Sequence, residues 1–309
     1  MADDPGILVE TLRTRLLRGL QAASIRGGDR LPSARVLSRE FGVDHRLVLA
    51  AYRVLADEGL VQLRPRGGIY VAARPGEVQG SPNIPESWLA QLLAEGLARE
   101  IQATDLHELL RRSTETLRLR AVVIAATADQ GYSIARELRE DFGLEADAVL
   151  ADEVRAASRT PLPVLRADLV VTITDHAEWV REYAASLRKE ACVIKVRPDL
   201  TSGEFVMLLR RPVYAVVASR DFGETLRNFF KDAKGVENLH LMILGEDDLS
   251  TIPVGAPTYV TQRARAQLGD VVVPGHMLPP ARTICSESAR EIFTFIVREN
   301  ARAMRRAVP

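Results

Sequence analysis

LPSARVLSREFGVDHRLVLAAYRVLADEGLVQLRPRGGIYVAA, residues 31–73, changes its hydrophobic period once, from helical to alternating, and that change decides how the start of the chain folds. Ser33 stands just before Val36, Leu37 and Phe41, so it predicts the N-cap of a short helix whose outer side carries Arg35 and Arg39. Gly42 ends that helix. Asp44 then caps a second one, in which Leu47, Val48, Ala51, Tyr52 and Leu55 recur at three- and four-residue spacing as a buried stripe. That leaves His45, Arg46, Leu49 and Arg53 facing outward. After Gly59 come two short extended runs, 60–63 and 69–72, joined by Arg64, Pro65, Arg66, Gly67 and Gly68. This is the text of a β-hairpin with a basic tip, where glycines permit positive φ and let backbone amides approach phosphates.

A helix pair alone, or a solvated turn alone, is common. In this order the two read as a DNA-binding winged helix-turn-helix. The first turn of the second helix, with His45 and Arg46, would face base edges in a major groove. Ser33, Arg35, Arg39, Asp44, Arg53, Arg64, Arg66, Gly67 and Gly68 complete the expected DNA-facing set. The stretch is similar to the winged helix of GntR-type bacterial repressors: LPS at 31–33, Arg35, the Phe-Gly-Val turn at 41–43, EGL at 58–60 and a Gly-rich wing. The resemblance implies DNA contacts from Arg35, from the start of the second helix and from the wing, made by a dimer on a two-fold-related operator. Where that family often has Ser-Arg after the turn and a second Arg one helical turn later, this chain has Asp44, His45 and Leu49. A bidentate arginine contact to guanine is therefore not carried over at those positions.

The composition supports a DNA module attached to something larger. At 309 residues, 47% of them hydrophobic, the chain exceeds one typical domain. Its zero net charge is unevenly spread: residues 1–75 hold twelve arginines against eight acidic groups, so the excess of positive charge sits with the module. Cys192 and Cys285 lie far apart within or beside apolar runs, which suits free thiols in a reducing cytoplasm better than a disulfide framework. No leader or bilayer-length apolar run is present, so the expected location is cytoplasmic, with no membrane partner.

Residues 7–25 read as the first helix of the module, with Ile7, Leu8, Leu12, Leu16, Leu17 and Leu20 on its apolar side and Arg13, Arg15 and Arg18 on a solvated one. ARPGEVQGSPNIP, 73–85, has linker composition. Residues 86–118 then read as one or two helices carrying Trp88, Leu92, Leu93, Leu97, Ile101, Leu106, Leu109, Leu110 and Leu117. That stripe would pack on its own chain, pair with a second copy, or do both. The expected divisions are 1–75 for the DNA-binding module, 76–119 for linker and connecting or dimerising helices, and 120–309 for the rest.

Beyond Arg120, apolar runs alternate with polar turns and amphipathic helices in two sets. The first has runs at 121–126, 148–151, 169–172 and 192–196; the second has them at 213–218, 239–244 and 271–273, with a turn into a helix over 258–267 between the last two, before a closing helix over 286–303. The fold class is therefore α/β and multi-domain: a winged helix-turn-helix followed by a two-lobed α/β domain with parallel sheets. The arrangement resembles sensor domains of the periplasmic-binding-protein type. It is also similar to GntR-type chains whose sensor has an acidic-Gln turn, here Asp129 and Gln130, and a Thr-rich turn, here Thr172, Thr174 and His176.

Open parallel sheets bind ligands beyond the carboxyl ends of their strands. The expected effector set is Thr127, Asp129, Gln130 and Tyr132; Thr174, Asp175 and His176; Ser219, Arg220 and Asp221; and Thr258, Tyr259 and Thr261. Each alone is an ordinary helix cap, whereas four polar turns converging on one cleft would make a site for a polar metabolite. The five histidines show no metal-ligand spacing, and no nucleophile elbow or phosphate loop is present, so neither metal, cofactor nor catalysis is expected. LVLAAYRVLADEG at 47–59 also resembles the GntR branch fused to a pyridoxal-phosphate aminotransferase-like domain; there Lys195 is the nearest Schiff-base candidate. The expectation is a ligand-responsive regulator, a repressor by resemblance; the alternative is a constitutive repressor whose rear domain only dimerises or contacts proteins.

Overall fold

In a computed structural model, residues 5–21, 25–64, 67–72, 86–195, 207–278 and 282–307 are described. They divide into two compact units. One comprises 1–82 with 198–281, the other 83–197 with 282–309.

The first unit opens with α1 (Pro5–Gln21), α2 (Ala34–Phe41) and α3 (His45–Asp57), followed by the antiparallel hairpin β1 (Val61–Arg64) and β2 (Gly68–Val71). The periodicity of 31–73 is realised residue by residue: Leu37, Phe41, Val48, Ala51, Tyr52 and Leu55 are buried. Gly42 takes φ 65° and its N–H donates to the Ser38 carbonyl, the left-handed stop that a residue with a Cβ adopts only at a cost. The core of this module continues into the second set of strands, because Leu8, Leu12 and Leu16 share one cluster with Met207, Leu208, Leu209, Val213, Phe230 and Leu278. The strands concerned are β7 (Val213–Val217), β8 (Leu239–Ile243), β9 (Pro257–Val260) and β10 (His276–Met277), all parallel in the order β10-β9-β7-β8. Helices α10 (Arg220–Phe229) and α11 (Gln262–Gln267) follow β7 and β9. The fourth strand is not the expected 271–273. Val271 and Val272 are exposed, and Pro274 follows them, so the chain pairs only once it reaches His276.

The second unit begins with α4 (Glu86–Leu97) and α5 (Ala103–Glu115). Its sheet holds β3 (Arg120–Ala125), β4 (Glu145–Leu150), β5 (Leu169–Ile173) and β6 (Glu190–Ile194), parallel in the order β4-β3-β5-β6. The helices are α6 (Ala128–Phe142), α7 (Ala151–Ala156), α8 (Leu162–Arg166), α9 (Ala177–Ser186) and a long return helix, α12 (Ser286–Ala307). Along β3, Ala121, Val123 and Ala125 enter a cluster with Ile134 and Leu138 of α6 and Ile292 and Ile296 of α12. Val122 and Ile124 enter another with Val154, Val164 and Val180. Covering both faces is what makes this strand continuously apolar. The buried Glu137 carboxylate accepts from the backbone N–H of Thr283 (2.5 Å) and Ile284 (3.0 Å), anchoring the returning chain on α6.

In both sheets the first strand lies between the second and the third, with the fourth beyond the third. The two sets therefore repeat one topology. No helix of the described residues is long and apolar enough to cross a membrane.

Candidate nucleic-acid interface and strand-end turns

The candidate face is built from capped helix ends. Ser33 Oγ accepts from Val36 N at 3.4 Å, and Asp44 Oδ1 accepts from Arg46 N at 2.7 Å, so each residue satisfies a first-turn amide of the helix it starts. Ser38 Oγ donates to the Val43 carbonyl at 2.7 Å across the turn, and the buried Tyr52 hydroxyl donates to the Pro32 carbonyl at 2.9 Å. These bonds hold α3 against α2. On the outside, Arg35, Arg39, His45, Arg46 and Arg53 are exposed. No carboxylate among the described residues pairs with Arg35, Arg46 or Arg53, while His45 Nδ1 lies 3.4 Å from Asp44 Oδ1.

At the wing, the Arg64 guanidinium stacks over the Tyr70 ring at 4.3 Å, and Tyr70 donates to the Gly67 carbonyl at 3.0 Å. Gly68 has φ 112°. Arg66 lies outside the described residues. The sequence reading missed Arg30, which bridges to Tyr70 beside the hairpin and is exposed there; a Cβ at position 68 would come within 3.1 Å of its Nε. Its only signal was an arginine in the RGGDRLP turn.

Arg15 corrects an expectation. Instead of lying on a solvated face, it is buried, paired with Glu40 at 2.6 Å, and its Nη2 meets His276 Nε2 at 3.0 Å. It looks solvated in sequence because the surface that covers it comes from 261 residues further along the chain. Arg13 pairs with Glu10 and Glu58, which holds its guanidinium pKa above the ordinary value. The side chain of Arg18 lies outside the described residues.

The strand-end turns are placed within each unit. In the second unit, Thr127 Oγ1 caps α6 by accepting from Gln130 N at 3.4 Å, and Gln130 Oε1 accepts from Ala126 N at 3.2 Å. Asp129 is fully buried and Tyr132 half-buried. Thr174 and Asp175 are exposed on a short 3-10 turn after β5. His176 Nε2 and Trp179 Nε1, just beyond, are buried without a hydrogen-bond partner among the described residues, although Arg155 stacks over Trp179 at 4.5 Å. Such an atom costs roughly 1–3 kcal/mol unless something else satisfies it.

In the first unit, Ser219, Arg220 and Asp221 follow β7, with Arg220 paired to Glu246. Thr261 Oγ1 caps α11 by accepting from Ala264 N at 3.2 Å. Thr258 and Tyr259 lie inside β9 rather than in a turn, and the Thr258 hydroxyl is buried, donating to the Ala256 carbonyl at 2.9 Å. The ladder to β7 continues to Val260 and so moves the turn two residues past them.

Residues 8–71 match the family described as bacterial regulatory proteins, gntR family. That match lies within the N-terminal module. Over 65 residues the chain is 35% identical to the HTH-type transcriptional regulator Rv1152 of Mycobacterium tuberculosis, a match covering 21% of this chain and 54% of that protein. The chain thus spans about half the length of the curated relative it matches. Among solved structures, YtrA from Sulfolobus acidocaldarius, a GntR-family transcription factor, is 26% identical, covering 34% of this chain and 84% of that one at a TM-score of 0.23. A transcriptional regulator from Oenococcus oeni is 19% identical, covering 34% and 88% at a TM-score of 0.24.

Lys195 is exposed and pairs with Glu287 at 2.9 Å, which raises its pKa. No group of three or more His, Cys, Asp or Glu able to hold a metal occurs among the described residues. Both cysteines are free, and burial followed by the neighbouring Glu291 pushes the Cys192 thiol up to about 12.

Proposed function

We propose that the chain is a dimeric, ligand-responsive transcriptional regulator, a repressor by its resemblance, acting on DNA in the cytoplasm. The observation that carries this is the set of exposed arginines on one capped helix pair and its wing, with Arg35, Arg46 and Arg53 free of acidic partners among the described residues. Arginines left unpaired at a protein surface are suited to phosphate oxygens, and the α3 N-terminus offers His45 and Arg46 to base edges.

Within this reading, 1–75 is the reading module, 76–119 links and dimerises, and 120–309 senses a polar metabolite. The repeated sheet topology supports a two-lobed sensor of the periplasmic-binding-protein type, since each sheet ends its strands in polar turns. The Trp179 indole N–H, without a partner among the described residues beyond β5, favours a ligand with an acceptor group there, and His176 Nε2 beside it donates or accepts according to its tautomer. The dimer is supported by α4 and α5, which expose Trp88, Leu89, Leu93, Leu97, Leu109 and Leu110.

Selection of duplexes from a random library by the full chain tests the reading. A two-fold-related sequence should be enriched, and Arg35→Ala or Arg64→Ala should weaken binding and reduce the salt slope by about one each. No enrichment with unchanged slopes would sink it. Operator affinity unaltered by every metabolite that binds would leave the constitutive repressor.

A further inference from the structure

Residues 207–213 read Met-Leu-Leu-Arg-Arg-Pro-Val: an apolar triplet, two cations and the start of β7. Met207, Leu208 and Leu209 are buried in the core cluster that also holds Leu37, Phe41 and Val48 of the helix pair. The turn they form is closed by Arg210 N donating to the Met207 carbonyl at 3.4 Å and Arg211 N donating to the Leu208 carbonyl at 3.1 Å. With three apolar side chains fixed in the core, the two arginines that follow are delivered to the turn between α2 and α3. A Cβ placed on Gly42 would lie 3.7 Å from Arg211 Nε and 3.8 Å from both Cβ and Cδ of Arg210.

Gly42 stands three residues before His45, so their Cα atoms are at most about 11 Å apart. Arg211 is therefore held beside the end of α3 that the regulator reading sets into a major groove. That groove is about 12 Å wide, and phosphates form its rims. A long cationic side chain offset by this much from a helix start in the groove is placed for a rim phosphate rather than for a base. Arg211 is exposed, and no carboxylate among the described residues pairs with it. Arg39 in the last turn of α2 and Arg46 in the first turn of α3 are exposed on either side of the same glycine.

We infer that Arg211 is a DNA-contacting residue, by which the segment leading into β7 lends the reading module a phosphate contact from outside residues 8–71, the stretch that matches the family. The inference rests on the DNA-binding reading and adds to it a residue that no helix-turn-helix pattern contains. A phosphate contact carries no sequence information, so this one strengthens binding to any duplex alike. The same guanidinium also suits the carbonyls at the C-terminal end of α2, where a cation is favoured for structural reasons alone. The two roles differ in what they change: the first alters the salt dependence of DNA binding, the second alters only stability.

Fluorescence anisotropy of the full chain with a labelled duplex of mixed sequence, and with one enriched by selection, tests the inference across a range of potassium chloride concentrations. Arg211→Gln should weaken binding to both duplexes by about threefold or more and lower the salt slope by about one per bound chain. Its melting temperature should match that of the parent. Arg211→Lys keeps the charge and should keep the slope. If Arg211→Gln retains the parent's slope while Arg35→Ala loses about one, the contact is absent, and this proposal falls while the regulator reading stands. A lowered melting temperature with an unchanged slope assigns Arg211 to the α2 end and overturns the proposal as well. So does weakening confined to the enriched duplex, which marks a base contact, or a slope lost equally in Arg211→Lys. If the parent binds neither duplex, the regulator reading fails and takes this inference with it.

Discussion

At the scale of residues, the same side-chain types do different work according to what covers them. Asp44, expected from the sequence to face DNA, is the cap whose carboxylate satisfies Arg46 N. Asp44→Ala should cost about 1 kcal/mol of stability, measured by urea unfolding, because the first-turn amide loses its acceptor. His276 meets Arg15 as a neutral acceptor, and Glu40 faces the same guanidinium from α2. Partial desolvation first, then the Arg15 charge, lowers the His276 pKa despite the opposing Glu40. An unfolded imidazole titrates near 6.5, so just below that pH the unfolded chain holds the extra proton. His276 therefore contributes its full stability above about pH 6.5 and loses it as pH falls towards the lowered folded value. Unfolding at pH 7.5 and 5.5 should show a smaller pH effect in His276→Gln, which keeps an acceptor without the titration.

At the scale of elements, α4 and α5 are the outliers. A helix whose apolar side chains stay in water gains little from folding on its own chain, and α4 exposes Leu97 by 69% and Trp88 by 53%. Sedimentation of the full chain should show a dimer, and Leu97→Glu should shift it towards monomer by at least tenfold in dissociation constant. A dimer unaffected by that charge would place the two-fold contact elsewhere. By contrast α12 is anchored: its Asn300 is fully buried, accepting from Leu117 N at 2.7 Å and donating to the Ile296 carbonyl at 2.8 Å.

At the scale of the whole molecule, neither compact unit is contiguous in sequence, since the chain crosses between them three times, after residues 82, 197 and 281. The reading module shares its core with residues 207–278, and its Thr11 hydroxyl meets Met207 Sδ at 3.5 Å. A fragment of residues 1–82 should therefore be less stable than the module in the intact chain by at least about 2 kcal/mol, the scale of one buried leucine. Hydrogen exchange at α1 amides in fragment and full chain measures this. Equal protection would show that the module folds without its partner strands.

What the amino-acid sequence determined by itself was everything encoded by short-range pattern. Ser33, Gly42 and Asp44 mark helix ends because capping and left-handed φ are local chemistry, and the unbroken apolar runs of β3 and β5 announce strands covered on both faces. The exposed arginines of α2 and α3 were legible for the same reason: helical period assigns a face. Only the tertiary structure decided what depends on partners far along the chain. It buried Arg15 under His276, withheld pairing from 271–273 and gave it to 276–277, kept Thr258 within a strand, and set Arg30 beside the wing. It also joined the reading module to the second sheet rather than leaving it a separate body. A residue's own neighbours specify its conformation, whereas its burial and charge partners depend on loops closed across hundreds of residues, which no local period records.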